Sequence, residues 1–208
     1  NPYGTCWAFA TYGSLESDLL KLAQPAYDFS ENNLVNKHGF DLGFNDGGNI
    51  LMSSAYLARG DGPVLESCDP YPNPGGSPNC PRVKYIEDIV WLPGRANTND
   101  NQYLKQAVYY HGAVYTSMYW NGDFYNRSTY TYYYNGTENA NHAVVIVGWD
   151  DNKETQASNP GAWIVRNSWG KGFGEEGYFY VSYYDTAFAF NTNAYFIDRP
   201  DLNNGNFT

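Results

Sequence analysis

The chain contains little charge, and positive charge is especially scarce. Charged residues make up 16% of the 208 residues, and 12 Lys and Arg face 22 Asp and Glu, which gives a formal net charge of −10. An acidic surface repels nucleic-acid phosphates and anionic lipids, so neither is an expected partner. The sequence also lacks an apolar run of about 18 residues, which excludes a transmembrane helix. It shows no basic, apolar leader of the kind that forms a signal peptide.

Cysteine and histidine are equally sparse, with three of each. No C-x-x-C pair occurs and the spacing of metal ligands is missing, so no metal or other cofactor is expected. Cys68 and Cys80 enclose a loop rich in Pro and Gly, which favours a disulfide; two unpaired thiols in a reducing compartment are the alternative. His38 and His111 are interpreted as surface or loop residues. A disulfide between Cys68 and Cys80 would leave Cys6 as the remaining cysteine.

The residues that are abundant suffice for a packed core, since 42% are hydrophobic and 18% aromatic. Apolar spacing and turn residues predict helices first and strands later. Helices are predicted over 6–22, 50–58 and 101–110. A further short helix is predicted to begin after Ser30, its cap residue. Predicted strands lie within 83–92, 113–120, 143–149, 162–166, 177–184 and 194–197. A Tyr-rich stretch at 125–134 predicts a hairpin in preference to a sugar-binding surface. We therefore predict an α+β protein with a helical lobe at 1–92 and a mainly antiparallel β lobe at 93–208.

Cys6 is a candidate nucleophile because it opens the first predicted helix. The positive end of the helix dipole and the unpaired N–H groups of the first turn favour a thiolate there. A buried and inert thiol is the ordinary alternative for a lone cysteine. A second reactive group is needed to choose between the two.

His142 is the candidate for that group. It begins an apolar β run, NHAVVIVGWD, 136 residues after Cys6, as expected for a base in the second lobe facing a nucleophile in the first. An imidazole beside a thiol gives an activated thiolate–imidazolium pair without a metal. Asn167 would accept the other ring N–H and orient the imidazole, and Trp169 would cover that hydrogen bond. A core histidine, a turn asparagine and a packing tryptophan are the alternatives.

Together these segments resemble the papain-like cysteine proteases. The resemblance lies in GTCWAFA, SENNLV, NDGGN, NHAVVIVGW and WIVRNSWGKGFGEEGYF, which follow the family's order along the whole chain. It implies a two-lobed α+β fold, with a helical left lobe, a β-barrel-like right lobe and the active cleft between them. It also implies hydrolysis of extended polypeptides, with Cys6 as nucleophile, His142 as acid and base, and Asn167 as orienter. The backbone N–H of Cys6 would be one oxyanion-hole donor.

The resemblance also suggests where a polypeptide substrate would bind. Glycines in the NDGGN segment would let an extended backbone approach closely, since no Cβ intrudes. The positions that match the family's substrate-binding residues are Gly47, Gly48, Asn49, Ile50, Leu51, Ser117, Asn141 and Ala143. An apolar side chain two residues before the scissile bond is the expected preference.

Several departures from the family pattern concern cysteines. Tyr3 and Asn45 stand near the two positions where the family usually has a disulfide-bonded pair of cysteines. Both cysteines of that bridge are therefore absent together. Near Lys37 the family has a further cysteine that pairs with one near Cys80, and Cys68 is the natural substitute. The family's oxyanion-hole glutamine would fall just before Asn1. These departures suggest a prokaryotic or otherwise divergent branch.

Composition and resemblance together predict a secreted or cell-surface monomer whose signal peptide and propeptide are not in this chain. A propeptide or protein inhibitor is the expected partner besides the substrate. Two further functions stay open on the sequence alone. One is a catalytically weak papain-like protein that binds peptides or surfaces. The other is a thiol acyl hydrolase or transferase on the same fold, which would keep the same three residues.

Overall fold

The chain divides into two units, a helical unit and a β unit. The computed structural model describes residues 2–191 and 193–198. The helical unit comprises Tyr3–Val90 together with residues 196–198, and the β unit comprises Trp91–Tyr195 together with Pro2. The sequence prediction placed everything after residue 92 in the second lobe. The return of 196–198 to the helical unit was not anticipated, because it depends on contacts remote in sequence.

Three helices build the helical unit: α1 (Cys6–Lys21), α2 (Glu31–Lys37) and α3 (Ile50–Ala58). Helix α1 is buried on several faces, as its apolar residues on more than one face predicted. The hydroxyl of Ser30 accepts the N–H of Asn33 at 2.9 Å and caps α2. Asn49 caps α3, since its Oδ1 accepts the N–H groups of Leu51 and Met52. The predicted starts of α2 and α3 are confirmed.

A disulfide joins Cys68 to Cys80, as predicted. The loop that it closes is also bound to α2 through the buried carboxylate of Asp69. That carboxylate accepts hydrogen bonds from the side-chain amides of Asn32 at 2.6 Å and Asn33 at 2.8 Å. The disulfide and the hydrogen bonds of Asp69 together hold a loop whose Pro and Gly content prevents regular secondary structure.

Helix α4 (Gln102–His111) and most of a mixed sheet form the β unit. The strands are β1 (Asp88–Leu92), β2 (Val114–Met118), β3 (Tyr125–Asn126), β4 (Thr131–Tyr132), β5 (His142–Asp150), β6 (Ala162–Arg166), β7 (Tyr178–Ser182) and β8 (Asn193–Ile197). From β8 the order is β8-β2-β5-β6-β7-β4-β3, and the residues of β1 and of β8 are each divided between the two units. The predicted Tyr-rich hairpin is confirmed as β3 and β4. The pairing of β4 with β7 is parallel, whereas the other pairings among β2–β8 are antiparallel, in keeping with the mainly antiparallel prediction.

The register of β2 and β5 places the start of β5 beside the end of β2. Met118 pairs with His142, and Ser117 pairs with Ala143. Strand β5 is buried over its first half, which explains its nearly unbroken apolar sequence. His142 thus lies where a buried strand begins, so its backbone is held by a sheet and its side chain has a fixed direction.

His38 was predicted to lie at the surface or in a loop, and it lies in the bend after α2 but is buried. His38 is 3% exposed instead of lying at the surface. Its ring packs against Trp7 and Phe40, with centroid distances of 5.9 Å to each. Burial lowers the pKa of His38, so the neutral ring is favoured in this apolar setting. His111 is partly buried and stacks on Tyr195 at 4.3 Å.

None of the helices in the described ranges has the length and apolar character needed to cross a membrane.

Candidate active site

In the β unit, His142 and Asn167 form a hydrogen-bonded pair. The Nε2 of His142 lies 2.9 Å from Oδ1 of Asn167, and both residues are buried, at 9% and 7% exposure. His142 begins β5, and Asn167 directly follows β6, the antiparallel neighbour of β5. The Asn167 N–H donates to the carbonyl of Gly177 at 2.9 Å and fixes the backbone at this position.

The contacts of Asn167 determine the tautomer of the imidazole. The backbone N–H of Ser168 donates to Oδ1 of Asn167 at 2.8 Å. Because a backbone N–H only donates, the atom facing it is the amide oxygen. The same oxygen faces His142, so Nε2 of the neutral ring carries the proton. Nδ1 is then the nitrogen that holds a lone pair and can act as a base.

Two tryptophans surround the imidazole. Trp169 stacks on His142 with ring centroids 4.9 Å apart and planes inclined by 21°. Trp120 meets Trp169 edge-on at 4.8 Å and lies 6.4 Å from His142. Burial lowers the pKa of His142, and the hydrogen bond to Asn167 opposes that effect. The setting therefore favours the neutral base until an anionic partner stabilises the imidazolium.

In the helical unit, Cys6 is the first residue of α1. It is partly buried and lies outside the disulfide. The next residue, Trp7, is 1% exposed, so α1 enters the core immediately after the thiol. A thiol at this place lies at the positive end of a helix of 16 residues. This is the setting that the sequence predicted for a thiolate nucleophile.

The glycine-rich segment before α3 lies in the same unit. Gly47 has φ +85, a conformation that favours glycine, and no heavy atom lies within 4 Å of the place a Cβ would take. At Gly48 a Cβ would overlap the ring of Trp7. Gly48 is therefore required by packing, whereas Gly47 leaves an open space above its backbone.

The predicted substrate residues at the start of α3 differ in what they contact. The side chain of Asn49 caps the helix, so its oxygen is engaged within the protein. Ile50 is 6% exposed and belongs to the core, while Leu51 is 63% exposed. Of these three residues, Leu51 alone presents an apolar side chain to solvent.

Ser117, Asn141 and Ala143 lie together in the β unit through the pairing of β2 and β5. The N–H of Asn141 donates to the carbonyl of Met118 at 3.0 Å. Its side chain accepts the N–H of Trp120 at 2.7 Å and donates to the Trp120 carbonyl at 3.1 Å. Asn141 thus fixes the backbone of Trp120 beside the histidine.

Trp120 was not predicted as a neighbour of His142. The residue follows β2 in the segment YWNGDF, where no spacing rule indicates that its side chain reaches another strand. Across the described ranges, 2–191 and 193–198, no group of three or more His, Cys, Asp or Glu side chains is placed to hold a metal ion.

These features were compared with known proteins. The model of the papain family of cysteine proteases matches residues 3–196. The chain belongs to this family. Among curated papain-type relatives, the cysteine protease Amb a 11.0101 of Ambrosia artemisiifolia is 34% identical over 183 residues, covering 86% of this chain and 45% of the relative. Mouse cathepsin K (Mus musculus) is 29% identical over 183 residues, covering 84% of this chain and 52% of the relative.

Solved structures of papain-like proteases agree with the fold. The cysteine protease and lectin-like domains of Cwp84, a surface layer associated protein of Clostridium difficile, match with a TM-score of 0.83 and 27% identity, covering 96% of this chain and 48% of that one. Digestive procathepsin L2 of Tenebrio molitor matches with a TM-score of 0.71 and 26% identity, covering 92% and 61%. The predicted papain-like α+β fold is confirmed. The chain spans about half the length of the curated relatives it matches.

Proposed function

We propose that this papain-family chain is a cysteine peptidase that cleaves extended polypeptides through Cys6, His142 and Asn167. The observation that carries the proposal is the buried hydrogen bond from His142 Nε2 to Asn167 Oδ1. It leaves Nδ1 as the basic nitrogen, and a peptidase of this type needs a base for its thiol. Family membership supplies the expectation that Cys6 is the partner of that base.

The proposed reaction begins with transfer of the Cys6 thiol proton to Nδ1 of His142. The thiolate sulfur then attacks the peptide carbonyl carbon and forms a C–S bond. As the C–N bond breaks, the imidazolium returns its proton to the departing amine. Water, deprotonated by the same nitrogen, attacks the resulting thioester. The C–S bond breaks, the acid product leaves and Cys6 is restored.

Asn167 and Trp169 serve the histidine in this scheme. The amide oxygen of Asn167 holds the ring through Nε2–H in both protonation states, so the ring need not turn between the two proton transfers. It stabilises the imidazolium less than a carboxylate would, because it carries no charge. Trp169 stacks on the ring and limits access of water to the hydrogen bond.

For the substrate, we propose binding in an extended form along Gly47. The open space above Gly47 would admit a peptide backbone, which pairs through main-chain hydrogen bonds. Leu51 offers the exposed apolar contact near it, in keeping with the expected apolar side chain two residues before the scissile bond.

A secreted or surface location is part of the proposal. The Cys68–Cys80 disulfide fits an oxidising compartment. One structural neighbour is described as surface layer associated, and another structure of the same clostridial protease was solved after propeptide cleavage. We propose by analogy that a propeptide restrains this protease before secretion. A monomeric state and a prokaryotic origin stay predictions.

Labelling of Cys6 by an epoxysuccinyl peptide tests the proposal. Opening of the epoxide by the thiolate leaves one thioether adduct, which intact mass and peptide mapping locate. We expect fast labelling of Cys6 in the folded chain, none in Cys6→Ser and slow labelling after denaturation, together with cleavage of a fluorogenic peptide. Absence of an adduct on both this chain and its native full-length form would favour the peptide-binding alternative. An adduct with acyl transfer to an added amine, and without hydrolysis, would favour a transferase.

A further inference from the structure

We propose that Asn45 and Tyr71 are positioning residues that fix the chain just before the nucleophile, and so set where Cys6 lies relative to Gly47. The inference rests on the proposed peptidase activity and concerns only residues of the helical unit. We call the group formed by Tyr3, Gly4, Thr5, Asn45 and Tyr71 the nucleophile clamp.

The first connection joins the nucleophile segment to the glycine-rich loop. The Gly4 N–H donates to Oδ1 of Asn45 at 2.7 Å. A Cβ on Gly4 would lie 2.9 Å from the Asn45 carbonyl oxygen and 3.1 Å from the Gly47 nitrogen. The two backbones are therefore in direct contact, two residues before Cys6 on one side and at Gly47 on the other.

The second connection joins the same segment to the disulfide loop. Thr5 is fully buried, and its hydroxyl lies 2.8 Å from the hydroxyl of Tyr71. A threonine that precedes a helix ordinarily accepts an N–H of the first turn. Thr5 makes no such capping bond to α1, and its hydroxyl is used toward Tyr71 instead. Tyr71 is itself held, since its N–H donates to Glu66 at 2.7 Å.

Aromatic rings fill the space between these connections. The ring of Tyr71 meets Phe9 of α1 edge-on at 5.0 Å and stacks on Phe44 at 5.8 Å. Tyr3 meets Phe44 edge-on at 5.3 Å and Tyr71 at 6.5 Å. Such edge-on and offset pairs are favourable arrangements. They make the nucleophile segment, the loop before Gly47 and the disulfide loop one packed group.

The clamp stands where the family pattern has a covalent link. Tyr3 and Asn45 occupy the positions near which the resemblance placed a disulfide. In this chain a hydrogen bond and ring contacts connect the same two segments. Water competes for the exposed hydrogen bond at Asn45, so the distance between the segments depends on the clamp side chains instead of on a covalent bridge.

This distance matters for peptides more than for small reagents. A peptide bound along Gly47 reacts only when its carbonyl carbon lies about 3–3.5 Å from the sulfur of Cys6, and a displacement of about 1 Å can cost on the order of a hundredfold. A small alkylating reagent needs only an accessible thiolate. Loosening of the clamp should therefore slow peptide cleavage and leave alkylation of Cys6 nearly unchanged.

The experiment compares kcat/KM for a fluorogenic peptide with the rate constant for alkylation of Cys6 by iodoacetamide. The single variants are Asn45→Leu, Asn45→Asp, Tyr71→Phe and Thr5→Val. The combined variant carries both Tyr71→Phe and Thr5→Val. We expect Asn45→Leu and Tyr71→Phe to lower kcat/KM about tenfold, as for one lost hydrogen bond, with alkylation within about twofold of wild type. Asn45→Asp keeps the acceptor and should restore most of the activity. The combined variant should be no worse than either single one.

Asn36→Leu is the matched control. The Asn36 amide donates to the carbonyls of Asn73 and Gly76 in the disulfide loop but is not part of the clamp. It should leave both rates unchanged.

A parallel fall of both rates in the clamp variants, or no fall in kcat/KM, would overturn the proposal. If wild type neither cleaves the peptide nor reacts with the epoxysuccinyl peptide, the proposed function itself fails and the clamp has no reaction to position. If wild type is active and the clamp variants cleave the peptide at the wild-type rate, the clamp proposal alone fails and the proposed function stands.

Discussion

Asn167 Oδ1 lies 2.9 Å from His142 Nε2 and also accepts the N–H of Ser168 at 2.8 Å. One oxygen thus orients the imidazole and is itself oriented by the backbone. The amide cannot rotate without breaking the Ser168 bond, so the tautomer of His142 is set by the fold. In the proposed mechanism, Asn167 is neutral, so only the Cys6 thiolate would balance the charge of the imidazolium.

Substitution of Asn167 should separate orientation from charge. We expect Asn167→Ala to lower kcat/KM by on the order of tenfold to a hundredfold, because the imidazole loses its orienting acceptor. Asn167→Asp keeps an acceptor and adds a negative charge that stabilises imidazolium. Its pH–rate profile should therefore extend to higher pH than that of wild type. An unchanged profile in Asn167→Asp would contradict contact between this residue and the catalytic base.

Removal of the proposed nucleophile, Cys6, should abolish turnover without unfolding the chain. We expect Cys6→Ala and Cys6→Ser to show no peptide cleavage and to keep the wild-type circular dichroism and urea midpoint, because Cys6 opens α1 and is only partly buried. Cleavage near the wild-type rate in either variant would rule out Cys6 as the nucleophile.

Removal of the proposed base, His142, should change how the reactivity of the Cys6 thiol depends on pH. Without His142 no imidazolium stabilises the thiolate, so alkylation of Cys6 in His142→Ala should reach half its maximum rate at a higher pH. Iodoacetamide kinetics between pH 4 and pH 9 measure this midpoint, with Asn36→Leu as the control. Superimposable profiles for wild type and His142→Ala would argue against an ion pair between the two residues.

Alanine substitutions at two glycines with similar backbone conformations separate the effect of backbone strain from that of blocking the substrate. Gly47 and Gly75 have φ +85 and +75, and neither would place a Cβ within 4 Å of another residue. Gly47→Ala and Gly75→Ala should both cost about 1 kcal/mol of unfolding free energy. Only the Cβ at position 47 would enter the space proposed for the peptide backbone. Gly47→Ala should therefore raise KM, and an equal KM in both variants would place the peptide elsewhere.

Local signals explain which parts of the fold were predictable. Helix α3 was predicted at 50–58, and the residues that bound it act within a few positions, since Asn49 caps its first turn and Gly60 follows its end. The order of Cys6, His142 and Asn167 was recognised through five short motifs. Burial of His38 was missed because it depends on the rings of Trp7 and Phe40, which no local spacing brings together.

Contacts between remote segments account for the rest. The parallel pairing of β4 with β7 joins Thr131 to Tyr180, and turn residues carry no information about it. The bond between Gly4 and Asn45 likewise spans 41 positions. Loss of the family's cysteines at this place was visible in the sequence, but what replaced them was not. Such contacts are selected by packing of the whole unit.

A buried carboxyl should make the protein more stable in mild acid than at neutral pH. Burial raises the pKa of Asp185 to about 6, against the opposing effect of the N–H groups of Ala187 and Tyr134 that it accepts. In an unfolded chain an aspartate has a pKa of about 3.9. Between these values the folded state holds a proton that the unfolded state has lost. The contribution of Asp185 therefore becomes more favourable as the pH falls from about 7 toward 4, and is lost as the pH rises through 6.

Urea unfolding at pH 7.5 and pH 5 measures this effect. We expect the unfolding free energy of wild type to rise by on the order of 1–3 kcal/mol on acidification, and that of Asp185→Asn to rise less, because the amide does not titrate. The difference between the two proteins isolates Asp185 from the other buried carboxyls, among them Asp18, whose pKa burial also raises to about 6. The same pH dependence in wild type and Asp185→Asn would mean that Asp185 is ionised alike in the folded and unfolded chain, and the acid stability would then have to come from other groups.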